Sequence, residues 1–297
     1  MLPTVDAADT VMMSPANTDD ALSGASKWYF RTAPNNTVEA NALASQIVAD
    51  GHTKLGILVF NDAYGINLRD ATEKAIEASG GSVVYGAKGK GQEFPSTQTT
   101  FSSDVSAVLA AKPDAIMIDA FDQTPQIIKA LASAGWTMKN TYFVDGNLND
   151  YSANISAGTL EGAQGTTQGV NPNDAFKAKL NAWYVANEGG KSLATYSYAA
   201  ESYDAVMLIA LAAEKAKTAT PTGIQANLLA VSGSTTGTAC KTYADCLKLA
   251  DAGTEFHYEG PSGIGPFNKD HDPSSGYISL YKYDAKNALV YESSVKG

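Results

Sequence analysis

The stretch KLGILVFNDAYG, residues 54–65, decides the fold. An apolar run from Leu55 to Phe60 carries no polar alternation and then turns through Asn61, Asp62 and Gly65. Strands of that kind are buried on both faces, as in a parallel sheet covered by helices. PDAIMIDAF (113–121) and NTYFVDG (140–146) repeat the pattern, and SVVYG (82–86) adds a shorter strand. Segments with helical spacing lie between them. TVEANALASQIVAD (37–50) puts Val38, Ala42, Ile47 and Val48 on or near one face, and NLRDATEKAIEASGG (67–81) ends at the stop signal Gly80-Gly81. TTFSSDVSAVLAAK (99–112) and TPQIIKALASAGW (124–136) complete the alternation. Strand and helix in turn predict an α/β fold with a parallel sheet between helices.

Beyond about residue 172 the pattern changes. NDAFKAKLNAWYVANEG (173–189) and SYAAESYDAVMLIALAAEKAK (197–217) read as two long helices, the second apolar nearly all round. PTGIQANLLAVSGS (221–234) adds a short helix. EFHYEGPSG (255–263), YISLYKYD (277–284) and ALVYESS (288–294) are shorter strands, with DAKN (284–287) as a turn between the last two.

The chain has 297 residues, enough for two lobes, and its 44% apolar and 18% charged residues are an ordinary globular composition. A formal charge of −10 without a basic stripe argues against nucleic acid and against an anionic membrane surface. No apolar run approaches the ~20 residues of a bilayer span, and the opening MLPTVDAADTVMMSP (1–15) lacks the features of a secretory signal. TVMMSP (10–15) reads as a strand that belongs inside a sheet, so a preceding segment of a longer protein is expected. Cys240 and Cys246 stand in TACKTYADCLKLADAG (238–253) at a spacing that fits no common zinc pattern. A small disulfide-closed loop, placing the protein outside the reducing cytosol, is the preferred reading, with two buried thiols as the alternative.

Ligands of parallel α/β sheets collect beyond the carboxyl ends of the strands. The residues there are Ser14 to Thr18, Asn61 to Gly65, Ala120 to Gln123, and Asp145 to Asn147. Each set has an ordinary reading beside a functional one. Asp145 either caps a following helix or meets a cation, and Asp62 caps the helix after Gly65. Tyr64 and Phe121 either pack or line a pocket, and Asp119 and Asp122 flank Phe121 in solvent. No catalytic constellation stands out. His52, His257 and His271 have no partner at metal or triad spacing, and no nucleophile-elbow, zincin or phosphate-loop motif occurs. Asn268, Asp270 and Asp272 alternate like the start of a calcium loop, but Pro273 and Ser279 break that pattern, so a plain turn is expected. No enzyme, no cofactor and no metal site are expected.

Seven segments occur in an order that resembles one family. They are MMSPANTDDALS (12–23), YFRTAP (29–34), GILVFNDAYG (56–65), AKPDAIMIDAF (111–121), IIKALASAGW (127–136), SYDAVMLIALA (202–212) and YEGPSGIGPF (258–267). Together they resemble the type I periplasmic binding proteins of branched-chain amino acid ABC transporters, the Leu/Ile/Val-binding family. The resemblance implies two α/β lobes joined by a three-stranded hinge, crossing at YFRTAP, near Asn171-Pro172 and in GPSGIGPF (260–267). Lobe 1 would comprise residues 1–35 and 173–255, lacking strand–helix units that family members carry before MMSP, and lobe 2 residues 36–172 and 256–297. It also implies that Ala16 and Thr18 bind a ligand carboxylate, that Tyr64 and Phe121 line a side-chain pocket, and that Asp145, followed by Gly146, holds an ammonium. Asp145 stands where a glutamate is usual in the family. The expected function is an extracytoplasmic monomer that captures an amino acid and passes it to a membrane permease. A sensory domain of the same fold coupled to a signalling partner is the alternative, and an α/β enzyme is the weakest.

Overall fold

The structure is a computed structural model that describes residues 1–188, 190–193 and 195–297. The chain separates into two compact units. Unit 1 comprises Met1–Asn35, Gln168–Tyr277 and Lys296–Gly297, and unit 2 comprises Asn36–Thr167 and Ile278–Val295. Residues 168–172 and 256–277 therefore fall in the first unit, whereas the sequence reading put them in the second lobe. The third passage of the chain falls after Tyr277, not within GPSGIGPF.

In chain order the elements begin with α1 (Leu2–Ala7), β1 (Met12–Ser14) and β2 (Tyr29–Arg31). Next come α2 (Asn36–Ala49), β3 (Lys54–Val59), α3 (Ala63–Ala78), β4 (Ser82–Tyr85), α4 (Ser102–Ala110), β5 (Ala115–Asp119), α5 (Thr124–Ser133), β6 (Thr141–Phe143) and β7 (Gln164–Gln168). Unit 1 resumes with α6 (Asp174–Asn187), α7 (Ala199–Ala216), α8 (Pro221–Val231), β8 (Thr238–Cys240), α9 (Tyr243–Asp251) and β9 (Phe256–Tyr258). β10 (Tyr277–Tyr283) and β11 (Leu289–Lys296) close the chain.

Unit 2 is built on a seven-stranded sheet ordered β11-β10-β7-β6-β5-β3-β4, and its β3–β4, β3–β5, β5–β6 and β6–β7 pairs are parallel. Successive residues of its apolar strands enter opposite layers, because side chains alternate across a sheet. Ile116, Ile118, Leu58 and Phe143 pack with Val105, Val108, Ile127 and Leu131 of α4 and α5. Ala115, Met117, Ile57, Val59 and Val144 pack with Leu43, Ile47, Leu68 and Ile76 of α2 and α3. Burial of a large apolar side chain contributes roughly 1.5–3 kcal/mol, so these two layers hold the unit together.

The start of α3 departs from the expectation. Asp62 caps it by accepting the Tyr64 N–H at 2.8 Å, so the helix begins at Ala63 and includes Gly65. Gly80 stops it at φ +84°, a left-handed conformation that favours glycine.

Unit 1 buries Phe30, Leu208, Leu211, Leu228, Val231, Phe256 and Phe267 in one core. A disulfide links Cys240 at the end of β8 to Cys246 in α9. α7 is less uniformly buried than its composition suggests, since Val206 and Tyr203 are exposed while Glu201 and Asp204 are buried. No helix among the described residues is long and apolar enough to cross a membrane.

Candidate functional site

The carboxyl ends of β3, β5 and β6 converge in unit 2, and the turn after β6 is fixed by Asn147. Its side chain accepts the Val144 N–H at 2.9 Å and donates to the Ile118 carbonyl at 2.8 Å. Asp145 is thereby presented at the tip of the sheet instead of trailing into solvent. Its own N–H donates to Glu39 Oε1 at 3.1 Å, and the Tyr64 hydroxyl donates to its carboxylate.

Aromatic rings wall this carboxylate. Tyr64 and Phe121 stack with centroids 5.4 Å apart at 19°, and Phe60 meets Phe121 at 4.9 Å and 63°. Gly146 lies against them: a Cβ there would come within 2.6 Å of Phe121 Cε1 and 3.2 Å of the Tyr64 hydroxyl. The Gly146 N–H also points at that hydroxyl, at 3.4 Å. The structure thus brings Tyr64, Phe121, Asp145 and Gly146 into one cluster.

Two acids join them that the sequence reading did not assign. Glu39 of α2 is fully buried and accepts the Thr166 hydroxyl at 2.8 Å as well as the Asp145 N–H. Burial, then the charge of Asp145, push its carboxyl well above the usual range. Asp119 ends β5, and here the expectation of a solvated side chain is overturned: it has no exposed surface. Strand alternation is the reason, since Asp119 follows Ala115 and Met117 into the helix-covered layer. Burial, then Asp145, hold its carboxyl well above the ordinary value. Burial and the same acids also raise the Tyr64 phenol well above its ordinary value, so it stays a donor at neutral pH.

Signals for both acids existed in the sequence. Glu39 stands four and eight residues before Leu43 and Ile47, on the stripe that the structure buries. Asp119 keeps the inward phase of an uninterrupted apolar strand.

Ala16 and Thr18 form a separate group in unit 1. Ser14 Oγ accepts the N–H groups of Asn17 at 3.0 Å and Ala16 at 3.4 Å, and donates to Asn17 Oδ1 at 2.7 Å. Ala16 is exposed and Thr18 is buried. Behind this loop Arg31, fully buried, donates to the carbonyls of Asn17 at 3.1 Å and Asp19 at 2.8 Å. Asp272 accepts the Arg31 Nε and Nη2 at 2.6 and 2.9 Å, so it serves an ion pair.

Unit 1 also contains a cavity of about 520 Å³ lined by Ser232, Lys241, His257, Glu259, Ile264 and Pro266 among others. It includes none of the six expected ligand residues. Its charged groups answer one another, with Glu259 3.6 Å from His257 Nε2 and 4.0 Å from Lys241 Nζ. No group of metal-ligating residues occurs among the described residues.

Known proteins match this architecture. The leucine binding protein LivK of Thermotoga maritima superposes with a TM-score of 0.75 at 18% identity, over 99% of this chain and 75% of that one. An ABC transporter substrate-binding protein of Desulfitobacterium hafniense, in complex with Leu, gives 0.67 at 22%, over 98% and 75%. A solute-binding protein of R. palustris, in complex with 4-hydroxybenzoate, gives 0.73 at 15%, over 99% and 74%. These likenesses establish a type I periplasmic-binding-protein fold. No curated protein matches the chain. The family model described as periplasmic binding protein matches residues 1–286, and the chain belongs to that family.

Proposed function

We propose that this protein is the substrate-binding component of an ABC transporter and that it captures an amino acid, holding the ammonium on Asp145. The observation that carries this reading is the Asp145 carboxylate, aimed by Asn147, hydrogen-bonded by Tyr64 and walled by aromatic rings. A zwitterion loses hydration on entering a protein, so each of its charges needs a partner there, and charge-assisted hydrogen bonds supply it. We assign the ammonium to Asp145. Phe121 and Tyr64 give the ligand side chain an apolar wall.

Relatives of this fold hold ligands of opposite character, Leu in one and 4-hydroxybenzoate in another. Asp119 and Asp145 at the strand tips, with Glu39 of α2, disfavour a benzoate anion in unit 2, because like charges repel most strongly where water is excluded. Family membership and the disulfide support a place outside the cytosol, with a membrane permease as partner. The ligand shifts the protein toward the form that the permease recognises by binding that form more tightly.

A thermal-shift screen of amino acids and aromatic acids tests the reading, since a bound ligand raises apparent stability. At least one amino acid is expected to stabilise the protein, and 4-hydroxybenzoate is not. Asp145→Ala is expected to weaken that amino acid by ~2–5 kcal/mol in calorimetry. Unchanged affinity in the variant, or stabilisation by benzoates alone, overturns the assignment.

A further inference from the structure

Asp119 is the buried acid that amino-acid capture leaves without a task. Neither of its carboxyl oxygens has a hydrogen-bond partner among the described residues, and no part of it is exposed. It rises on the same sheet layer as α2 and α3, toward the cluster around Asp145. The titratable and charged groups acting there are Asp145 from the turn after β6, Glu39 from α2, and Asp62, Tyr64 and Arg69 from the α3 region. Arg69 is the cation among them, and its N–H groups go elsewhere. They donate to Asp70 at 2.7 Å, Glu93 at 2.9 Å and the Gly86 carbonyl at 2.8 Å.

Asp119 and Glu39 are fully buried and both feel the charge of Asp145, so the three carboxyls do not all ionise and at least one retains a proton. The Glu39 carboxyl accepts the Asp145 N–H and the Thr166 hydroxyl, which favour its ionised form, whereas the Asp119 carboxyl accepts no hydrogen bond among the described residues. The proton is therefore best placed on Asp119. An ammonium nitrogen reaching Asp145 changes this balance, because it brings positive charge and N–H donors to the acids.

We propose that Asp119 is a second acid of the ligand's cation subsite and gives up its proton to solvent when an ammonium-bearing ligand enters. This rests on the amino-acid reading above and adds a proton to its stoichiometry. The carboxyl O–H bond breaks, the proton passes to the buffer, and the carboxylate left behind faces the ligand ammonium, which keeps its three N–H bonds. Affinity then falls as pH drops, because binding must expel a proton that the free protein holds more firmly. The slope is at most about tenfold per pH unit for one proton.

Calorimetry on the full chain tests this, with each proteinogenic L-amino acid as probe, in phosphate and in Tris. The difference in apparent enthalpy between buffers gives the number of protons released. For an amino acid that binds, a release of up to about one proton is expected, with affinity rising as pH rises. Asp119→Asn, which is isosteric and cannot ionise, is expected to bind without release and with a flat pH profile. Equal enthalpies in both buffers overturn the inference and leave amino-acid capture standing. Failure of every amino acid to bind overturns both. The two-buffer measurement on the unaltered protein does not depend on the variant folding.

Discussion

Asp272 in unit 1 and Asp119 in unit 2 are both almost fully buried, at 5% and 0% exposure, yet their surroundings differ. Asp272 receives two N–H groups of Arg31 and the Ser23 hydroxyl at 2.6 Å. The Asp119 carboxyl receives no hydrogen bond among the described residues and has acids around it. The first arrangement is complete in the folded chain and fastens the loop that carries Ala16 and Thr18. The second is completed when something else enters. Buried charge that the fold satisfies belongs to stability, and buried charge that it leaves open points to a ligand.

Breaking the satisfied pair has the largest expected effect. Asp272→Ala leaves the Arg31 guanidinium buried with its strongest partner gone, and should cost ~3–5 kcal/mol in denaturant unfolding. A loss below about 1 kcal/mol would remove the contrast between the two aspartates.

Glu201 of α7 sharpens the comparison, being a buried acid of unit 1 with an unpartnered oxygen. Burial pushes its carboxyl from 4.5 up to about 8. A raised acid contributes stability fully below its unfolded value and loses that contribution as pH climbs. The loss should therefore run from pH 4.5 to about 8 and amount to something on the order of 4 kcal/mol. Glu201→Gln is expected to flatten this dependence in melts recorded across that range. A slope that persists in the variant places the titration on another group.

Reducing the Cys240–Cys246 bond should have a smaller effect. It closes a short ring, with a sequence separation of 6, and its loss is expected to cost about 2 kcal/mol by freeing the unfolded chain. Unfolding with and without reductant measures this. Asp119→Asn comes last, within about 1 kcal/mol of the unaltered protein near neutral pH, because Asn imitates the protonated acid already present. A strong destabilisation would mean that Asp119 belongs with Asp272 among the structural charges.

The sheet of unit 2 was legible because β3, β5 and β6 are continuous apolar runs, and no other backbone arrangement buries both faces so economically. Tyr64, Asp145 and Gly146 were legible from their place just after such strands. Asp119 was missed since a polar residue at a strand end is usually the first residue of a turn. Its burial comes from helices folded over it, which no local window contains. Glu39 escapes the sequence because Val38, Ala42, Ile47 and Val48 mark one face there, whereas packing against the sheet selects the stripe of Ala40, Leu43, Ala44 and Ile47. The unit boundary at Tyr277 was also hidden, as the glycines of GPSGIGPF look like a crossing but fold within unit 1.

β10 and β11 complete the sheet of unit 2, although residues 169–276 separate them from the rest of it. During synthesis β7 therefore waits with a bare edge while more than a hundred residues of the other unit are made. An edge of unpaired backbone groups invites pairing with other chains. Holding the nascent chain unfolded until its last strands emerge avoids that hazard, and export in an extended form would do so.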